Sequence, residues 1–170
     1  MRQRIATIAL LLAAALGGCA SVNAPGDTAL FIVVRHAEKA SDDPRDPTLS
    51  PAGMQRAQRL AQLLEGTSLT AAYATEYRRT QQTAQPVAEA RGLVPTAYAA
   101  SQPAAGFASM LRRTHQGGAV LVVGHSNTVP DIVTALCGCS VDPIGDDDYG
   151  NLYRIRFDRD GRATLQHDRY

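Results

Sequence analysis

The sequence contains no tryptophan and only 5% aromatic residues, which leaves no broad aromatic platform on which sugars could stack. A charge excess of one sign is also missing, since 17 Lys and Arg face 16 Asp and Glu for a formal net charge of +1. That balance argues against a protein that blankets nucleic acid and makes any basic site a local one. No internal repeat, low-complexity block or dinucleotide-binding glycine fingerprint occurs. With 45% hydrophobic residues spread along 170 positions, wholesale disorder is excluded and one compact domain is expected.

No apolar run reaches the roughly 20 residues of a membrane-spanning helix. The run from Ile5 to Leu16 follows Arg2 and Arg4 and precedes Leu16-Gly17-Gly18-Cys19, the pattern of a secretory signal. Its ending resembles the bacterial lipoprotein signal, in which the cysteine thiol takes a diacylglyceryl group and becomes the mature N-terminus. The expected organisation is a lipoprotein signal peptide at residues 1–18, a lipid-anchored tether at 19–28 and a folded domain at 29–170. Acyl chains such as palmitate on Cys19 would hold the protein at a membrane of the bacterial cell envelope, on the periplasmic side in a Gram-negative cell.

Cysteine is otherwise scarce. Cys137 and Cys139 are separated only by Gly138, and a disulfide across so short a loop is expected to be strained. Two small, partly buried thiols near a helix end are the expectation, with the disulfide left open for an oxidising compartment. Neither a second cysteine pair nor a spaced histidine cluster completes a metal site.

Ala29 to Val34 and Ala119 to Val123 are continuous β-branched and aliphatic runs, suited to strands buried on both faces of a parallel sheet. Between them, Ser50-Pro51 offers an N-cap and first-turn proline. Met54, Ala57, Leu60, Ala61 and Leu64 then recur with helical spacing up to Gly66. A short strand at 71–74 precedes a helix from about Tyr77 to Arg91 in which Pro86 should cause a kink or restart. A weak strand at 93–98, a helix carrying Phe107, Met110 and Leu111, and a helix opened by Thr128-Val129-Pro130 follow. Residues 152–157 and 162–167 form a hairpin turned by Asp160-Gly161. This alternation gives an α/β fold with a mainly parallel sheet flanked by helices.

Ligands of open α/β sheets collect outside the carboxyl ends of the strands, where Arg35, His36 and His125 are expected to converge. The segment from Thr75 to Ala84 (Thr-Glu-Tyr-Arg-Arg-Thr-Gln-Gln-Thr-Ala) adds arginines at an electropositive helix start. Guanidinium groups offer paired donors and permanent charge to phosphate oxygens, and neighbouring cations favour a neutral, nucleophilic histidine. Arg79 is expected to face water or pair with an acid, and His115 and His167 to lie on the surface.

Three segments resemble the histidine phosphatase superfamily, which includes phosphoglycerate mutases and many phosphomonoesterases. Val33-Val34-Arg35-His36-Ala37-Glu38 is similar to the family's strand followed by Arg-His-Gly. Thr75 to Ala84 is similar to its arginine-bearing Gln-Thr-Ala segment, and Val122-Val123-Gly124-His125-Ser126 to its second-histidine segment. Leu49-Ser50-Pro51-Ala52-Gly53 resembles the family's Leu-Ser-x-x-Gly helix start. The resemblance implies a three-layer, phosphoglycerate mutase-like fold and a phosphomonoesterase that works through phosphorylated His36. Arg35, Arg78 and His125 would bind the phosphoryl group of a small phosphorylated substrate, with no metal, other cofactor or nucleic-acid partner and no particular oligomeric state implied.

Ala37 departs from the family's glycine, and no Asp or Glu occurs from Ala90 to Pro130, where the family's proton donor is usual. Glu38 beside the nucleophile is the candidate general acid, with Asp42, Asp43, Asp46 and Asp146 to Asp148 as alternatives. Without an acid, substrates with good leaving groups such as acyl or histidyl phosphates would be favoured. The competing functions are a non-catalytic phosphate-ligand binding lipoprotein and a mutase-like phosphotransferase, the latter disfavoured by the short chain.

Overall fold

The structure is a computed structural model that describes residues 28–170; the signal segment, Cys19 and the rest of the tether before Thr28 lie outside the described residues. Ten elements alternate along the chain: β1 (Leu30–Arg35), α1 (Pro51–Leu63), β2 (Leu69–Thr75), α2 (Arg78–Glu89), β3 (Thr96–Tyr98), α3 (Ala104–Thr114), β4 (Ala119–Gly124), α4 (Val129–Cys137), β5 (Asn151–Phe157) and β6 (Ala163–Arg169). They build one six-stranded sheet in the order β3-β2-β4-β1-β5-β6. The first four of these strands run parallel, while β5 is antiparallel to β1 and β6 to β5. The hairpin turns through Gly161 at φ 76°, a backbone region that glycine enters without a Cβ clash.

Both faces of the central strands are covered, which is why β1 and β4 read as unbroken apolar runs. Phe31, Val33, Val120 and Val122 pack with Phe107 and Leu111 of α3 and Ile132, Val133 and Leu136 of α4. Ile32, Val34, Leu121 and Val123 pack on the other face with Leu60 of α1 and Ala84, Val87 and Ala88 of α2. The three layers, helices over sheet over helices, match the expected architecture. The β1–β4 register pairs Arg35 with Gly124, so the next residue of each strand, His36 and His125, leaves the sheet beside the other.

Three local expectations are corrected. Met54 is 47% exposed; the buried face of α1 begins at Gly53 instead and continues through the expected Ala57, Leu60 and Leu64. Pro86 sits within α2, which runs without a restart from Arg78 to Glu89. Cys137 and Cys139 form a disulfide, not free thiols, with Cα atoms 5.2 Å apart. Gly138 at φ 68° caps α4 in the left-handed region, folding the chain back so that one residue suffices to span the bridge.

Candidate active site

A cavity of about 360 Å³ opens at the carboxyl edge of the parallel strands. His36, next after β1, is 4% exposed. Its backbone N–H donates to the Gly124 carbonyl (2.9 Å), and its Nδ1 lies 2.8 Å from the Ala37 carbonyl. A carbonyl only accepts, so Nδ1 carries the proton and Nε2 keeps its lone pair. Burial lowers the His36 pKa to about 3, with the positive surroundings of His125, Arg35 and Arg79 adding to the effect and the Ala37 hydrogen bond opposing it.

His125 lies 5.3 Å from His36, ring centre to ring centre, and nearly edge-on. The Arg79 guanidinium reaches its Nδ1 at 3.5 Å, and Thr75 Oγ1 lies 2.9 Å from its Nε2. Because a guanidinium only donates, Nδ1 is the acceptor and Nε2–H donates to Thr75. The fully buried Thr75 passes the chain on to Thr80 (2.8 Å). Thr80 in turn donates to the Thr75 and Tyr77 carbonyls. Burial lowers His125 to about 4, and Arg79 pushes in the same direction.

The Arg35 guanidinium lies 4.1 Å over the Tyr149 ring. Its Nη1 donates to the Gly145 and Asp148 carbonyls (2.7 and 3.1 Å), which latches the loop before β5 across the cavity. Arg79, on the first turn of α2, lies 4.4 Å over Tyr77 and 3.6 Å from Asp46. Two buried N–H groups in this site, Arg35 Nε and Arg79 Nη1, have no hydrogen-bond partner among the described residues, Arg79 Nη1 standing in the ion pair with Asp46. Such orphaned donors are costly unless an acceptor comes to them.

Two expected site residues stand elsewhere. Arg78 does not line the cavity; its side chain is 51% exposed and faces Asp42 at 4.0 Å. Arg79, expected to face water or an acid, lines the cavity in its place while also pairing with Asp46. Glu38 does not line the cavity either. Both of its carboxylate oxygens accept from Arg56 Nε (2.9 and 3.0 Å), and Oε1 also accepts from Nη2 (2.6 Å). Burial pushes its pKa up, but the Arg56 hydrogen bonds and charge outweigh that and hold it below the usual carboxylate value. A carboxyl group kept ionised is a poor proton donor.

Of the alternative carboxylates, Asp42 accepts from Thr48, Asp43 from the backbone of Arg45 and Asp46, and Asp46 from the Arg78 backbone. Asp148 pairs with Arg169, whereas Asp146 lines the cavity. His115 bonds Tyr73 (2.9 Å) and His167 bonds Asn151 (2.8 Å), both away from the site. Tyr77, Tyr149 and the Thr75 relay carried no sequence signal of a role, because their place depends on neighbours brought in from other strands. Among the described residues no group of three or more His, Cys, Asp or Glu is arranged to hold a metal ion.

Paired histidines and arginines thus gather where the parallel strands of a three-layer α/β fold end. The chain matches the family model of the histidine phosphatase superfamily, branch 1, over residues 31–101. It shares its fold with the protein histidine phosphatase SixA complexed with tungstate (19% identity, TM-score 0.64, covering 82% of this chain and 96% of that one). A protein provisionally named an alpha-ribazole-5'-P phosphatase from Escherichia coli is similar at 17% identity and TM-score 0.69 (85% and 97% covered). So is phosphoserine phosphatase from Entamoeba histolytica, bound to 3-phosphoglyceric acid, at 15% identity and TM-score 0.64 (84% and 98% covered). No curated protein matches the sequence.

Proposed function

We propose that this protein is a phosphatase that hydrolyses small phosphomonoesters through a phosphorylated His36. The observation that carries this reading is a neutral, buried imidazole with Nε2 free, set in one cavity with two guanidinium groups that each keep a buried N–H without a hydrogen bond among the described residues. Nε2 attacks phosphorus, a P–N bond forms, and the P–O bond to the leaving group breaks with its electron pair left on that oxygen. The Arg35 and Arg79 guanidinium groups, beside the neutral His125, balance the charge of the phosphoryl oxygens, the part that bound metal plays in other phosphoryl transfers, so the reaction runs without one. Asp146 is the cavity carboxylate assigned to protonate the leaving oxygen. Water then displaces His36 from phosphorus, releasing inorganic phosphate and restoring the Nδ1–H imidazole.

Asp146 is exposed and stands alone among the candidate carboxylates in lining the cavity. A weakly placed acid favours substrates that leave without much protonation, so acyl and histidyl phosphates are the preferred class within this reading. The expected location is the cell envelope, with lipid on Cys19 as the anchor; in that case Cys19→Ser releases the protein from the membrane fraction.

The direct test is hydrolysis of para-nitrophenyl phosphate by the full chain, with and without a chelator. Turnover that survives chelation and disappears in His36→Ala and His125→Ala supports phosphatase action. Phosphate binding without turnover of this easy ester supports the non-catalytic phosphate-binding alternative.

A further inference from the structure

Three backbone groups on the short path from His36 to Glu38 are tied to three different elements. His36 N–H is held by β4 through Gly124, as above, and Ala37 N–H donates to Thr83 of α2 (3.0 Å). The Glu38 carbonyl accepts from Ser50 N–H at the cap of α1 (2.9 Å). One turn on, a Cβ at Gly53 would overlap that same carbonyl, so α1 rests directly on the Glu38 backbone. Arg56, three residues further along that helix and on the same face, grips the Glu38 carboxylate side-on. Its Nη1 donates in addition to the Tyr170 carbonyl (2.7 Å) beyond β6. The Ala37 carbonyl, the acceptor that keeps the proton on His36 Nδ1, lies between the Thr83 and Glu38 anchors.

We infer that Glu38 and Arg56 are positioning residues for the nucleophile: their ion pair clamps α1 onto the His36–Glu38 turn and fixes the Ala37 carbonyl that holds His36 in its Nδ1–H form. The inference rests on His36 as the nucleophile of the preceding reading. It gives the carboxylate a use that needs it charged and away from substrate, whereas a general acid would need it protonated and in the cavity. A bidentate pair serves this purpose better than a single contact, because two parallel bonds fix the orientation of both planar groups. Supporting partners of this kind commonly change activity by roughly ten- to a hundredfold.

The test compares the full chain with Glu38→Gln and Arg56→Lys, which keep size while removing the charge or the fork. Clamping predicts that kcat falls about tenfold or more with little change in KM. The fall is to be equal for esters with good and poor leaving groups, and the nitrogen chemical shifts of His36 should move from one tautomer toward a mixture. A loss that grows as the leaving group worsens would overturn the inference and return Glu38 to proton donation. Unchanged kcat and unchanged His36 shifts in folded variants would overturn it as well. If the wild type shows no turnover, the phosphatase reading fails while the nitrogen shifts still decide whether the pair orients His36.

Discussion

Arg78 and Arg79 are adjacent and chemically alike, yet only one faces the histidines. Consecutive helical residues point about 100° apart, and Arg79 shares its stripe with Thr83 and Val87, which face inward, whereas Arg78 lies above Gln82, whose amide oxygen accepts from the Leu49 N–H. The arginine-rich segment was therefore legible in the sequence, but choosing the second arginine required extending the buried Thr83–Val87 phase back by one turn. Arg79→Ala should lower kcat/KM roughly a hundredfold or more, as expected for losing a donor to a transferring oxyanion, while Arg78→Ala changes it less than about threefold. Steady-state kinetics on an aryl phosphate checks both; the opposite ranking would place Arg78 in the site. Glu38 teaches a related lesson, since proximity to His36 in sequence suggested chemistry, but Arg56, eighteen positions away, had already claimed the carboxylate.

Among the elements, those with strong periodic signals are legible in the sequence. β1 and β4 announce themselves as buried runs, the hairpin of β5 and β6 by its Asp160-Gly161 turn, and α1 by its Ser50 cap, which accepts from Gly53 N–H at 3.1 Å. What α1 conceals is where its buried face begins, because the residue in closest contact, Gly53, has no side chain and so adds nothing to a hydrophobic pattern. Met54 filled that gap in the sequence and is exposed in the structure. Gly53→Ala should force α1 off the Glu38 carbonyl and destabilise the fold by about 1–3 kcal/mol. Gly66→Ala, with nothing within 4 Å of its added carbon, should leave stability nearly unchanged. Denaturant unfolding distinguishes the two, and equal stability of both variants would contradict the close packing described for α1.

At the scale of the whole molecule, the site couples chemistry to stability. Burial keeps His36 and His125 neutral when folded, with pKa values near 3 and 4, whereas an unfolded histidine titrates near 6.5. Between those values the unfolded chain binds more protons, so stability rises with pH. The contribution is complete above about pH 6.5 and is lost progressively as the pH falls toward the folded values. The slope can reach at most about 1.4 kcal/mol per pH unit for each histidine. Urea midpoints should thus fall between about pH 6.5 and 4.5, and His36→Asn should flatten that dependence. An unaltered dependence in the variant would show that His36 is not held neutral by the fold.

The molecule as a whole is organised so that two strands deliver their following histidines side by side and two arginines supply the charge around them. This arrangement followed from strand order and register, which no single segment of the sequence displays, although the three separated motifs made the convergence readable. It makes one commitment above the others, that phosphorus becomes bonded to His36. Rapid acid-free quenching of the full chain with an activated aryl phosphate, followed by mass spectrometry of the peptide that carries Arg35 and His36, tests this directly. Phosphate on His36 in the wild type, enriched in the pre-steady state and absent from His36→Asn, is the predicted result. Steady turnover with no phosphorylated His36, or with phosphate on another residue, would contradict it.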